Sequence, residues 1–371
     1  MSLKIFHTSD VHLGMKFSRY PEVQEDLANM RFSTLERLVQ RSNEEKCDMF
    51  VIAGDLFDKV SVSKKDILRT AQILNTFQGN ILALLPGNHD YITGEEGDLW
   101  SIFEGHAGDN VKVLKSKQVE SLQHYDLDVN IYPAPCNSKH SSENCIGWIK
   151  DEQKDPDILY HIGIAHGSLD GFSPDFDGRY FPMTHSQLNE CEMDLWLMGH
   201  THIQYPDKPG PRDRIFYPAT PEPDGFDCRH EGKAWILEID EDKKIKAESI
   251  STGNFFFMDC DVALEHDSRV DLVLSDLIPT DASNVLLKLK LKGRLSEEEY
   301  ETLKDIRSMV PDLFYFKPDY SEVTQVIDPK LIEKEFTEGS FPYALLSKLT
   351  VDESDQEALQ VAYELMKELK S

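Results

Sequence analysis

The sequence predicts an α/β fold, and three features carry that prediction. A short apolar run that breaks off at a turn and a polar residue recurs at 3–10, 48–55 and 81–88. Stretches with helical spacing of apolar residues separate these runs, and further strand-like runs follow between 111 and 250. Strands alternating with helices build parallel sheets, and functional sites collect at the carboxyl ends of such strands.

In order, Leu3-Lys4-Ile5-Phe6-His7-Thr8 reads as a buried first strand that stops at Ser9-Asp10-Val11-His12-Leu13-Gly14. Side chains alternate along a strand with period two, so Asp10 and His12 are expected on one face. Leu27, Met30, Leu35, Leu38 and Val39 give a helix over roughly 21–45. The run 48–53 is continuously apolar and ends at Gly54-Asp55, as in a strand buried on both faces. Ile67, Leu68, Ala71, Ile73 and Leu74 make the apolar face of a second helix, followed by the run 81–86 and Gly87-Asn88-His89-Asp90. Shorter strands are expected at 111–114 and 129–132, and the run 160–165 delivers His166-Gly167. A loop at 170–183, rich in Gly, Pro and Asp, precedes the run 194–198 and Gly199-His200-Thr201-His202. The segments 215–217, 234–239 and 245–250 read as closing strands.

From about 260 the character changes. Leu287, Leu289 and Leu291 alternate with Lys288, Lys290 and Lys292, which predicts a strand with one solvated face. Ser296 with Glu299 forms a capping-box pattern, and so does Ser354 with Glu357 ahead of a last helix whose apolar side holds Ala358, Val361, Ala362, Leu365, Met366 and Leu369. The expected domains are 1–258, a smaller α+β unit at 259–340, and a C-terminal helical segment at 341–371, within what 371 residues allow.

Bulk composition narrows the function. No stretch approaches the roughly 20 apolar residues of a membrane span, and residues 1–10 lack the apolar run of a signal peptide. The six cysteines are scattered without a C-x-x-C, so they read as reduced thiols rather than a zinc ribbon, and a cytoplasmic location is expected. The net charge of −28 weighs against nucleic acid as a partner unless basic residues are grouped or another protein supplies them.

The strand ends together supply Asp10, His12, Asp55, Asn88, His166, His200 and His202. That is enough for two metal ions if one carboxylate bridges them. The mixed nitrogen and oxygen donors suit Mn²⁺, Fe²⁺ or Zn²⁺ and not an oxygen-only Mg²⁺ or Ca²⁺ cage. Two ions about 3.5–4 Å apart activate a water and clamp an in-line displacement at phosphorus, so phosphate-ester hydrolysis is the chemistry this hardware suits. His7, His161 and His185 read as structural histidines. Lys288, Lys290 and Lys292 read as a solvated strand face.

The ordered motifs D-x-H, G-D-x-x-D, G-N-H-D, a single His and G-H-x-H resemble the calcineurin-like metallophosphoesterase superfamily over roughly 1–250. The resemblance implies a four-layer αββα domain. It assigns one metal to Asp10, His12, Asp55 and His202, and the other to Asp55, Asn88, His166 and His200. It makes His89 a general acid or phosphate donor, and Asp58 the acceptor that orients His89.

Finer features resemble the SbcD-type exonucleases of DNA repair, especially the YhaO-like subgroup. They are the opening His7-Thr8-Ser9-Asp10-Val11-His12-Leu13-Gly14, the aspartate of Gly87-Asn88-His89-Asp90, Tyr217-Pro218-Ala219-Thr220-Pro221-Glu222, and Glu231-Gly232-Lys233. The region after 260 then corresponds to a capping domain. This branch implies a Mn²⁺-dependent DNA exonuclease or endonuclease that dimerises and works with an SbcC-like coiled-coil ATPase. Two positions depart from the pattern. Ala219 stands where glycine is expected, and Asp58 stands where archaeal and eukaryotic nucleases carry histidine, so a two-histidine mechanism does not carry over. The alternative is a phosphatase or cyclic-nucleotide phosphodiesterase with an accessory domain, which the acidic charge favours. A non-catalytic subunit is a third reading, against which the full ligand set argues.

Overall fold

The computed structural model describes residues 2–175, 177–351 and 356–369. Ser354, the expected cap of the last helix, lies outside the described residues. The chain divides into two compact units, Met1–Phe257 and Met258–Ser371.

The first unit begins β1 (Leu3–Thr8), α1 (Gln24–Glu44), β2 (Met49–Ala53), α2 (Lys64–Leu74), β3 (Ile81–Leu85), α3 (Leu99–Glu104), β4 (Val111–Val113). It continues with β5 (Glu120–Ser121), β6 (Val129–Ala134), β7 (Tyr160–His166), α4 (His185–Glu190), β8 (Leu195–Gly199), β9 (Gln204–Tyr205) and β10 (Ile215–Pro218). Then β11 (Lys233–Ile239) and β12 (Ile245–Ser251) return to the first sheet, whose order is β12-β11-β1-β2-β3-β4; the second runs β5-β6-β7-β8-β10-β9. Both sheets are mixed. β1 to β4 are parallel with β11 and β12 antiparallel at one edge, and β6, β7, β8 and β10 are parallel between antiparallel β5 and β9.

Hydrophobic periodicity explains the packing. Because β2 and β3 are apolar at every position, both faces need cover. On one face Phe6, Phe50, Ile52 and Leu84 pack with Leu35 and Leu38 of α1, Ile67 and Leu74 of α2 and Trp100 of α3. On the other, Ile5, Val51 and Ala83 meet Ile131, Ile162 and Leu197 of the second sheet. That sheet's outer side buries Tyr132, Trp196 and Met198 with Ile149 and with Leu188 of α4. His7 sits in this interior, its Nε2 3.1 Å from the carbonyls of both Met198 and Phe216, and burial pushes its imidazole down to about 4. It is a neutral structural donor.

Ala219 adopts φ +70°, the left-handed conformation for which the resemblance expects glycine. No helix among the described residues is long and apolar enough to cross a membrane.

The second unit is built on a three-stranded sheet of β13 (Phe256–Leu264), β14 (Val285–Leu295) and β15 (Tyr315–Gln325), in that order, with β14 and β15 parallel. Leu287, Leu289 and Leu291 are fully buried, while Lys288 pairs with Asp259 at 2.7 Å and Lys290 pairs with Glu322. Two lysines of the stripe are therefore charge-compensated. Between the strands lie α5 (Val270–Leu277) and α6 (Glu297–Thr302); Ser296 Oγ caps α6 by accepting from Glu299 N at 3.3 Å. The return bond of the expected box is replaced, since the Glu299 carboxylate accepts from the Val270 amide at 3.1 Å. Helices α7 (Pro329–Glu335), α8 (Phe341–Leu349) and α9 (Gln356–Glu368) enclose Ile332, Leu346 and Leu359.

Candidate metal centre

All seven predicted donors lie at the carboxyl ends of strands. Asp10 and His12 follow β1, Asp55 follows β2, Asn88 follows β3, His166 ends β7, and His200 and His202 follow β8. In parallel sheets these ends open on one edge, which gathers residues far apart in sequence. Strand alternation, however, is not what aims the D-x-H and H-x-H pairs. β1 stops at Thr8 and β8 at Gly199, and Asp10 (φ +56°), His12 (+50°), Asp55 (+53°) and His200 (+98°) occupy left-handed or positive-φ backbone. Such conformations cost on the order of 1–3 kcal/mol each and persist where surrounding bonds fix them. Here Asp10 N donates to Gly54 O at 3.1 Å, His12 N to Asp55 O at 3.0 Å and His200 N to Asp10 Oδ2 at 3.1 Å.

The donors form two overlapping groups, and His12 is shared with a third that takes in Asp58 and His89. Donor atoms of Asp10, His12 and His202 lie within 4.8 Å of one another, and so do those of Asp10, Asp55 and His166. His12 Nε2 is 3.3 Å from His202 Nε2, and His202 Nε2 is 3.6 Å from Asp10 Oδ1. Asp55 Oδ2 lies between His166 Nε2 at 3.3 Å and His12 Nε2 at 4.0 Å. Asn88 Oδ1 is 2.9 Å from His166 Nε2 and 3.0 Å from His200 Nδ1. Both carboxylates therefore occupy central positions.

These residues fit divalent cations. Asp10 Oδ1 and His12 Nδ1 are buried without a hydrogen-bond partner among the described residues, which is rare for polar atoms in a folded interior. Two ring nitrogens face each other beside two carboxylates that are almost wholly buried. Nitrogen and carboxylate donors in this mixture suit a borderline or first-row divalent ion.

The charges balance internally. Burial opposes ionisation of Asp55, yet His166 and His12 hold its carboxyl far below the usual range. Burial also opposes charge on His166 and His202, but Asp55 and Asp10 lift His166 to about 9, and Asp10 with Asp224 lifts His202 to about 10. Burial dominates at His12 and His200, pushed down to about 3 and about 4. The carboxylates of Asp10, Asp55 and Asp224 thus draw protons onto His166 and His202, and bound cations would take the place of those protons.

His89 stands beside this cluster, its ring 4.8 Å from that of His12. Its backbone N donates to Asp55 Oδ1 at 2.8 Å. Its Nδ1 is 2.9 Å from the backbone carbonyl of Asp58, so the acceptor that orients it is the main chain of Asp58 and not the expected carboxylate. Asp90 is fully buried, accepting from Gly87 N at 2.7 Å and Phe57 N at 3.0 Å, and it ties the loops after β2 and β3 together. A cavity of about 810 Å³ opens over the cluster, lined by His89, Tyr180, His200, His202, Arg229 and Lys233 among others.

Sequence reasoning missed Asp224, whose Oδ2 is 3.3 Å from His202 Nδ1, and buried Arg31 behind it. No spacing signal links positions 31, 202 and 224; only the fold brings them together.

The close approach of strands depends on glycine. A Cβ on Gly54 (φ +94°) would lie 2.0 Å from His166 Nδ1, and one on Gly199 would lie 1.9 Å from Ala53 O. Gly54→Ala is expected to destabilise the protein by more than about 1 kcal/mol and to weaken metal retention by displacing His166. Thermal denaturation and metal analysis after dialysis check both effects.

Residues 3–204 match the sequence profile of the calcineurin-like phosphoesterase family. The uncharacterized metallophosphoesterase YhaO of Bacillus subtilis (strain 168) is 28% identical over 209 residues, covering 54% of this chain and 48% of that protein. The DNA double-strand break repair protein Mre11 of Methanopyrus kandleri is 24% identical over 310 residues, covering 80% of this chain and 61% of that protein. The chain thus spans about half to three-fifths of the length of these curated relatives.

Proposed function

We propose that this chain, which belongs to the calcineurin-like phosphoesterase family, is a metal-dependent nuclease that hydrolyses phosphodiester bonds in DNA. Convergence of seven donors on one edge of the paired sheets, with His89 beside them, carries the hydrolase reading. The narrower choice of DNA draws support from the likeness to Mre11. That likeness covers 80% of the chain, more than the 257 residues of the first unit, so it runs into the added sheet domain.

Asp10, His12, Asp55, Asn88, His166, His200 and His202 would hold two divalent cations, with Mn²⁺ the expected species. Bound there, the cations supply Lewis acidity and an activated water. The chain's own groups do the rest. The Asp58 carbonyl accepts from His89 Nδ1–H, so when the ring carries a second proton, on Nε2, that proton is the one given to the departing oxygen and the ring is left neutral with Nδ1–H in place. Asp55 Oδ1 fixes the backbone of the same residue, coupling the acid to the metal cluster.

The net charge of −28 is the specific observation that favours the second reading, a phosphatase or cyclic-nucleotide phosphodiesterase. Asp175, Asp207, Asp224 and Asp227 also line the cavity, against Arg229 and Lys233. For a nuclease of this charge, DNA is presented by a partner, here an SbcC-like coiled-coil ATPase acting on a homodimer in the cytoplasm.

With Mn²⁺, purified protein is expected to degrade linear duplex or single-stranded DNA, and EDTA is expected to abolish the reaction. Cleavage only after adding an SbcC-like ATPase would support both the nuclease and its partner. Rapid hydrolysis of phosphomonoesters without DNA cleavage would overturn the nuclease and leave the phosphatase.

A further inference from the structure

The geometry points to Asp224 as a positioning residue: anchored by the buried guanidinium of Arg31, its carboxylate holds the proton of His202 on Nδ1 and aims the Nε2 lone pair into the metal centre. The inference rests on the proposal above that His202 is a ligand. Asp224 lies beyond residues 3–204, the stretch that matches the family profile.

Arg31, on α1, is 1% exposed. Its Nη1 donates to Val11 O at 2.6 Å, and its Nη2 donates to Glu222 O at 3.3 Å and lies 4.0 Å from Asp224 Oδ2. The guanidinium thus joins the loop that carries Asp10 and His12 to the loop that carries Asp224. A guanidinium stays charged at any ordinary pH, and a buried charge requires compensation. Asp224 provides it from a side chain that is 18% exposed.

The same carboxylate places Oδ2 3.3 Å from His202 Nδ1. A carboxylate there keeps the proton on Nδ1, so Nε2 is the nitrogen that gives up its proton to a bound cation and offers its lone pair. That is the atom facing His12 Nε2 at 3.3 Å and Asp10 Oδ1 at 3.6 Å. Orientation by a carboxylate fixes the tautomer and raises the donor strength of a ligating imidazole. His166 has a weaker version, with Nδ1 2.8 Å from the neutral carbonyl of Ala53.

His202 is also held through its backbone. His230 Nδ1 accepts from Gly232 N at 3.0 Å, so its Nε2 carries the proton and donates to His202 O at 2.9 Å. Side chain and main chain of His202 are therefore fixed by separate groups, and Asp224 acts on the ring alone.

The test titrates Mn²⁺ calorimetrically into the metal-free full chain of the parent protein, Asp224→Asn, Asp224→Ala and His202→Ala. Each protein's thermal midpoint is measured without metal. Asp224→Asn keeps the volume of the parent residue, so it decides the matter if the alanine variant fails to fold. Two binding events are expected in Asp224→Asn, one of them weakened about 10- to 100-fold and the other parent-like, with hydrolysis restored by excess Mn²⁺ and a lower metal-free midpoint because Arg31 loses its compensating charge. Parent-like affinity at both sites in the Asp224 variants, alongside loss of one site in His202→Ala, would overturn the positioning role alone. Retention of both sites in His202→Ala would overturn the ligand role of His202, and this inference with it.

Discussion

Asp55→Asn is expected to strip the centre of bound metal and to lower hydrolysis by more than about 10³-fold, since removing one member of a buried charge pair costs roughly 4 kcal/mol. The substitution preserves size and leaves an oxygen able to accept from His89 N, so backbone displacement is not the cause. It removes the negative charge that sits 3.3 Å from His166 and 4.0 Å from His12. The side chain is 2% exposed, so water cannot replace that charge. Metal content of the dialysed variant and its rate at saturating Mn²⁺ provide the check. A variant that retained two ions and the parent rate would remove Asp55 from the centre.

His89→Asn should behave differently, keeping its metal while kcat on DNA falls by about 10²- to 10⁴-fold, the range for loss of a general acid. The backbone N–H that reaches Asp55 Oδ1 survives the change, so the cluster stays assembled. A phosphodiester with a nitrophenolate leaving group departs without protonation and should lose far less. That contrast identifies proton donation. An equal loss on both substrates would instead make His89 a binding residue, and loss of metal would make it part of the centre's framework.

Much of this was legible before any fold was known. The runs ending at Gly54-Asp55, Gly87-Asn88 and Gly199-His200 announce both strands and site, because apolar pattern follows burial and polar donors that close a doubly buried segment need a partner there. The lysine alternation after 284 gave its buried leucine face correctly for the same reason. Less was legible where local pattern and tertiary contact diverge. Asp10 and His12 converge through left-handed backbone and not through strand pleat, and the Glu299 carboxylate leaves its capping box for the Val270 amide. Asp58 serves His89 with its carbonyl, which every residue possesses, so no side-chain motif could have revealed it.

By itself the sequence determined the α/β class, the residue types gathered at strand ends and the family they resemble. Those follow from hydrophobic periodicity and from motif order, which are properties of the chain read along its length. The tertiary structure alone decided how the donors divide, with Asp10 common to two groups and Asp55 between His12 and His166. It alone set Arg31 and Asp224 behind His202. Contacts across 22 and 193 residues arise only when the sheets stack and their loops close over one edge, and no one-dimensional pattern encodes that distance.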